Sequence, residues 1–66
     1  MKKTIVFKDL MHVPMIIEGQ GSIDELNEII GENNSDRLLN LGIIKVNNGL
    51  FSVTNDGKKV VEMFNK

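Results

Sequence analysis

Side chains able to do covalent or metal chemistry are sparse in these 66 residues. There is one histidine, His12, and no cysteine, so neither a thiolate nucleophile nor a ligand set at metal-binding spacing is present. Ser22 and Ser35 each precede a helical pattern and serve better as helix caps than as nucleophiles. Gly19-Gln20-Gly21 lacks the strand–loop–helix frame and the lysine of a phosphate loop. An enzyme is therefore not expected, nor is a cofactor or a metal. What remains is recognition chemistry. Arg37, Asn33 and Asn34 carry the guanidinium and carboxamide groups that read guanine and adenine bidentately, and Ser35 adds a hydroxyl. Lysine and asparagine side chains are in general able to touch phosphate. Each has a plain alternative: Asn33-Asn34-Ser35 as a turn and cap, Asn48 as a turn residue, scattered lysines as solubility.

Net charge is −1, but its layout is uneven. Residues 1–8 carry three lysines and no acid, residues 9–36 carry seven acids and no base, and residues 37–66 carry five bases and two acids. A duplex would be repelled by the middle of the chain and accepted only by its ends. The acidic set Asp24, Glu25, Glu28 and Glu32 falls on the outside of one expected helix. It is either a solvated face or a docking surface for a basic protein partner.

The elements that would position these groups centre on Leu41 to Gly57. With Asn48-Gly49 as a type I′ turn, Val46 stands opposite Phe51 and Ile44 opposite Val53, while Lys45 faces Ser52 on the other side. Turn chemistry and period-2 patterning thus agree on one register. Upstream, Ser22 with Glu25 forms a capping box for a helix carrying Ile23, Leu26, Ile29 and Ile30, which Gly31 ends. Asn33-Asn34-Ser35 is expected as a polar turn, with Ser35 capping a short third helix of about two turns over Asp36–Leu41 that Gly42 closes. Thr54, Asn55 or Asp56 caps a final helix that buries Val60, Val61 and Phe64. Near the start, a strand or extended arm is expected at 3–8 and a helix from about Asp9 to Glu18, broken or begun near Pro14. Gly19-Gln20-Gly21 connects it to the next helix.

The order Leu38, Leu41, Gly42, Ile43, Ile44, then Phe51, Val53, Thr54 and Gly57, resembles the winged-helix family of DNA-binding domains. Met15-Ile16-Ile17-Glu18-Gly19 followed by Ser22-Ile23-Asp24-Glu25-Leu26 looks like the end of that family's first helix and the start of its second, so the resemblance covers roughly residues 15–64. It implies an α+β fold: three helices, a two-stranded antiparallel wing, a C-terminal helix and an N-terminal edge strand. It also implies duplex DNA binding in transcription control, with Asn33, Asn34, Ser35 and Arg37 near bases, Lys45, Asn47 and Asn48 near phosphates or the minor groove, and Lys58 near the backbone. One departure stands out, because only sixteen positions separate Leu26 from Gly42, fewer than the family pattern. That shortens the helix that would enter the major groove. The alternative function is a winged helix that serves protein interaction, as an inhibitor or adaptor, without binding DNA.

At 66 residues the chain reads as one domain, 1–66, which buries only about 60% of the surface its unfolded form exposes. Met1, Met11, Met15 and Met63, with Leu10, Leu39 and Leu50, leave surplus apolar surface, so a homodimer is expected. No apolar run approaches membrane-span length, and Lys2-Lys3 is not followed by a signal-peptide core; the expected location is cytoplasmic.

Overall fold

Two sharp backbone events organise the fold, one at Gly31 and one where Gly57 meets Ile43. The computed structural model describes residues 5–65. In chain order these form helices α1 (Phe7–Leu10) and α2 (Pro14–Glu18), strand β1 (Gln20–Ser22), helices α3 (Ile23–Ile30) and α4 (Glu32–Asn40), strands β2 (Ile44–Asn47) and β3 (Leu50–Val53), and helix α5 (Asn55–Phe64). The class is α+β, with a three-stranded antiparallel sheet in the order β1-β3-β2.

The hairpin has the expected register: Val46 pairs with Phe51, Ile44 with Val53 and Lys45 with Ser52. Its turn residues Asn48 and Gly49 both take positive φ, 53° and 77°, as a type I′ turn requires. Ser22 caps α3, its Oγ accepting from the Glu25 N–H at 3.4 Å. Thr54 is the cap of α5, accepting from the Gly57 N–H at 2.9 Å.

Several expectations are corrected. The stretch expected as helix from about Asp9 to Glu18 begins earlier, at Phe7, and is broken near Pro14 as expected, because Pro14 has no N–H to donate and begins α2 at its first position. The strand expected at 3–8 is not formed at 5–8: Phe7 and Lys8 belong to α1, and residues 1–4 lie outside the described residues. Of Gly19-Gln20-Gly21, taken as a connector, Gln20 and Gly21 form with Ser22 a strand that pairs with β3 through Gln20–Ser52, Gly21–Phe51 and Ser22–Leu50. The sheet therefore has three strands rather than two.

The third helix is also different. Asn33-Asn34-Ser35 is not a turn but part of α4, which begins at Glu32 and runs nine residues. Gly31 alone makes the corner, with φ 88° and ψ 152°, a conformation that only glycine takes cheaply. Its N–H bonds the Asn27 carbonyl, closing α3, and its carbonyl accepts from the Ser35 N–H, opening α4. One residue therefore serves both helices.

The core gathers Leu10, Met11, Leu26, Ile30 and Leu38 beneath the inward face of the sheet, where Ile44, Phe51 and Val53 point. Leu10 is fully buried although its position suggested exposure, and Ile29 is 44% exposed although it was placed on the buried stripe of α3. Burial of Phe51 alone is worth about 2 kcal/mol.

Gly57 lies buried in the first turn of α5, so close to the hairpin that an added Cβ would strike the Ile43 carbonyl oxygen. Gly57→Ala should cost about 1–3 kcal/mol in urea unfolding, because the clash is with backbone that cannot rotate away. Thr54→Ala, which removes the cap, should cost about 1 kcal/mol in the same measurement. Lys59→Ala, at an exposed position of the same helix, should change stability by less than about 0.5 kcal/mol.

Candidate functional site

The side chains that could recognise nucleic acid do not share one surface role. On α4, Asn34 and Ser35 are 5% and 3% exposed, so neither can reach a base. Asn34 Nδ2 donates to the Ile30 carbonyl at 2.7 Å, satisfying one of the carbonyls that α3 leaves open at its end. Ser35 Oγ is buried without a partner among the described residues, as is Asn27 Oδ1. The corner at Gly31 turns this stretch inward, so Asn34 and Ser35 lie in the interior rather than on the surface where the resemblance expects them.

Arg37 is at the surface but engaged. Its Nη1 donates to the Ile5 carbonyl at 3.4 Å and to Asn34 Oδ1 at 3.3 Å, and the guanidinium carbon lies 6.0 Å from the centre of the Phe7 ring. A cation over an aromatic face is attracted by the ring quadrupole. Arg37 therefore straps the N-terminal segment to α4. Of the expected base-reading set on this helix, only Asn33 is exposed without such a tie.

Lys45, Asn47 and Asn48 are exposed on β2 and its turn. Lys45 stands beside Ser52, which in turn stands beside Gln20, all on the outer face of the sheet. Lys58 is elsewhere: it lines the groove between α2 and α5 with Ile16, Ile17, Glu18, Val61 and Glu62. Arg37, Lys45 and Lys58 thus stand on three different elements, α4, β2 and α5, and two acids line the groove with Lys58. Asp24, Glu25, Glu28 and Glu32 are all exposed.

A clamp between the two ends of the chain is the feature that sequence reasoning missed. Phe7 and Phe64 pack edge to face, with ring centres 5.6 Å apart and planes inclined at 71°. His12 Nε2 bonds the Phe64 carbonyl at 2.9 Å; since a carbonyl only accepts, the ring donates there. Asn65 Nδ2 donates both to the Met11 carbonyl and to the Val61 carbonyl, each at 2.9 Å. His12, Phe64 and Asn65 thus fasten the end of α5 to the segment between α1 and α2, and they satisfy helix-end carbonyls in doing so. No local pattern announces contacts across more than fifty residues. The one available signal was chemical, since two of only three aromatic residues lie near opposite ends.

Among the described residues, no group of three or more His, Cys, Asp or Glu side chains is placed to hold a metal ion, and no helix is long and apolar enough to cross a membrane. No protein-family model, no curated protein and no solved structure matches this chain.

Arg37→Ala should lower stability by about 1 kcal/mol, through loss of the Ile5 bond and the Phe7 contact. Hydrogen exchange should speed up at the Leu10 and Met11 amides, which bond the Val6 and Phe7 carbonyls. Exchange within the hairpin should be unchanged. Equal acceleration in both places would show that Arg37 supports the fold globally rather than strapping this segment.

Proposed function

We propose that the chain is a winged-helix domain that works by binding protein rather than by reading duplex DNA. The observation that carries this is the surface of α4, the helix that would lie in the major groove. It exposes Glu32, Asn33, Asp36, Arg37, Leu39 and Asn40. That is two acids against one base, and the base is spent on Ile5, Asn34 and Phe7. Duplex binding is dominated by phosphate neutralisation, which needs several unengaged cations on one side. Here Lys45 stands on β2 and Lys58 on α5, neither on α4.

The winged-helix part of the proposal is supported by the order of α3, α4, hairpin and α5, and by the residues of the Thr54–Gly57 junction. The partner class follows from charge. The exposed carboxylates Asp24, Glu25 and Glu28 of α3 adjoin Glu32 at the start of α4, and Leu39 and Leu41 are 38% and 60% exposed at the far end of α4. This combination suits a basic protein segment that also carries apolar side chains. An inhibitor or assembly adaptor has this character.

The test is fluorescence anisotropy of a labelled random-sequence duplex titrated with the protein at about 50 and then 200 mM salt, across which phosphate-dominated binding falls steeply. The expected result is no saturable binding at either salt. Binding at the lower salt that is lost at the higher would overturn the proposal in favour of a DNA-binding regulator.

A further inference from the structure

We propose that the outer face of the sheet is a two-fold interface with a second copy of this chain. The inference goes beyond the partner-binding reading and stands without it. The two registers place six outward residues in two rows across the sheet: Lys45, Ser52 and Gln20 in one, and Asn47, Leu50 and Ser22 in the other. Alternate positions Ile44, Phe51 and Val53 point into the core, so these six are the opposite, solvent face. Leu50 sits on the central strand and is 60% exposed, although leucine in the middle of a polar sheet face costs free energy in water.

The charges on this face are arranged at its two margins. Lys45 lies on β2, one edge of the sheet. Glu18 precedes β1, the other edge, and borders the same open basin as Gln20, Asn47, Leu50 and Ser52. A partner of a single sign would meet a like charge at one margin. A second copy need not. With a two-fold axis running along β3, the face is laid on itself with β2 over β1. Leu50 then meets Leu50 of the partner subunit, and Ser52 meets Ser52 of the partner subunit. Lys45 comes over Gln20 of the partner subunit. Glu18 of the partner subunit, the last residue of α2, precedes the partner's Gln20 by two positions across the Gly19 turn and borders the same basin, so Lys45 and Glu18 of the partner subunit share one margin. Each copy therefore supplies one cation and one anion to two equivalent pairs, around an apolar contact on the axis. This is the isologous pattern of a symmetric dimer. The six positions are fewer than a standard interface requires, so the dimer should be weak, with a dissociation constant in the micromolar to millimolar range.

Sedimentation equilibrium from about 1 μM to 1 mM spans that range. The wild-type chain should associate reversibly to a dimer. Lys45→Glu and Glu18→Lys should each weaken association by about tenfold or more, since each places like charges together twice. The double variant should recover to within about threefold, because the pairs reform with signs exchanged. Leu50→Asp, which sets two carboxylates together on the axis, is an independent variant and should abolish association. Far-ultraviolet circular dichroism verifies that each variant is folded. A monomer throughout, a dimer indifferent to the charge reversals, a double variant no better than either single, or a folded Leu50→Asp chain that still dimerises would overturn the inference.

Discussion

The junction between the hairpin and the last helix is the constraint on which the other elements depend. Thr54 makes three of its contacts at once: its N–H bonds the Ile43 carbonyl at 2.9 Å, its Oγ–H bonds the Gly42 carbonyl at 2.6 Å, and its Oγ accepts from Gly57. Gly57 then lets α5 lie directly on the Ile43 backbone. The result is that the base of the hairpin and the start of α5 are held as one piece. The end of α4 joins it through the bond from the Ile43 N–H to the Leu38 carbonyl. Once α5 is fixed there, its far end carries Phe64 and Asn65 to the N-terminal segment, where they close the clamp on Phe7, Met11 and His12. A core of this size supplies limited stability, and such fastening between elements distant in the sequence adds to it.

That fastening bears on the proposed function. The clamp brings Ile5 and Phe7 against α4, and Arg37 is the residue that meets them. A side chain whose chemistry suits bidentate recognition of a base is thereby turned to an internal task. Asn34 is likewise consumed by the end of α3. The surface left on α4 is acidic and partly apolar, and it borders the acidic face of α3. Two separate local demands, closing α3 and anchoring the N-terminal segment, have drawn on the polar groups that a DNA-reading helix would present to solvent.

The parts of this fold that can be read from sequence are those fixed by short-range chemistry. The Asn48-Gly49 turn and the alternation on either side determine the hairpin register without reference to the rest of the chain. Ser22, Thr54 and Pro14 mark helix starts by their own hydrogen-bonding capacity. The α4 start was misplaced because Asn33-Asn34-Ser35 has the composition of a turn, whereas the turn itself needs only Gly31. Strand β1 was invisible for a different reason. Its three residues, Gln20, Gly21 and Ser22, have no strand propensity to display, and they are extended because β3 offers them a free edge. The recognition residues were the least legible of all. Types and spacing nominated Asn34, Ser35 and Arg37, but their burial and engagement depend on Ile30, Ile5 and Phe7, which only the tertiary structure brings to them.

The central claim, that α4 does not present itself to duplex DNA, is tested most directly by nitrogen-15-labelled protein titrated with a random-sequence duplex at low salt, following backbone amide shifts. The account predicts no saturable shifts at Asn33, Asp36, Arg37 or Asn40, and none on the β2–β3 turn. Shifts that saturate together on α4 and on that turn would contradict it, and would mean that Arg37 leaves Ile5 and Phe7 to engage the nucleic acid.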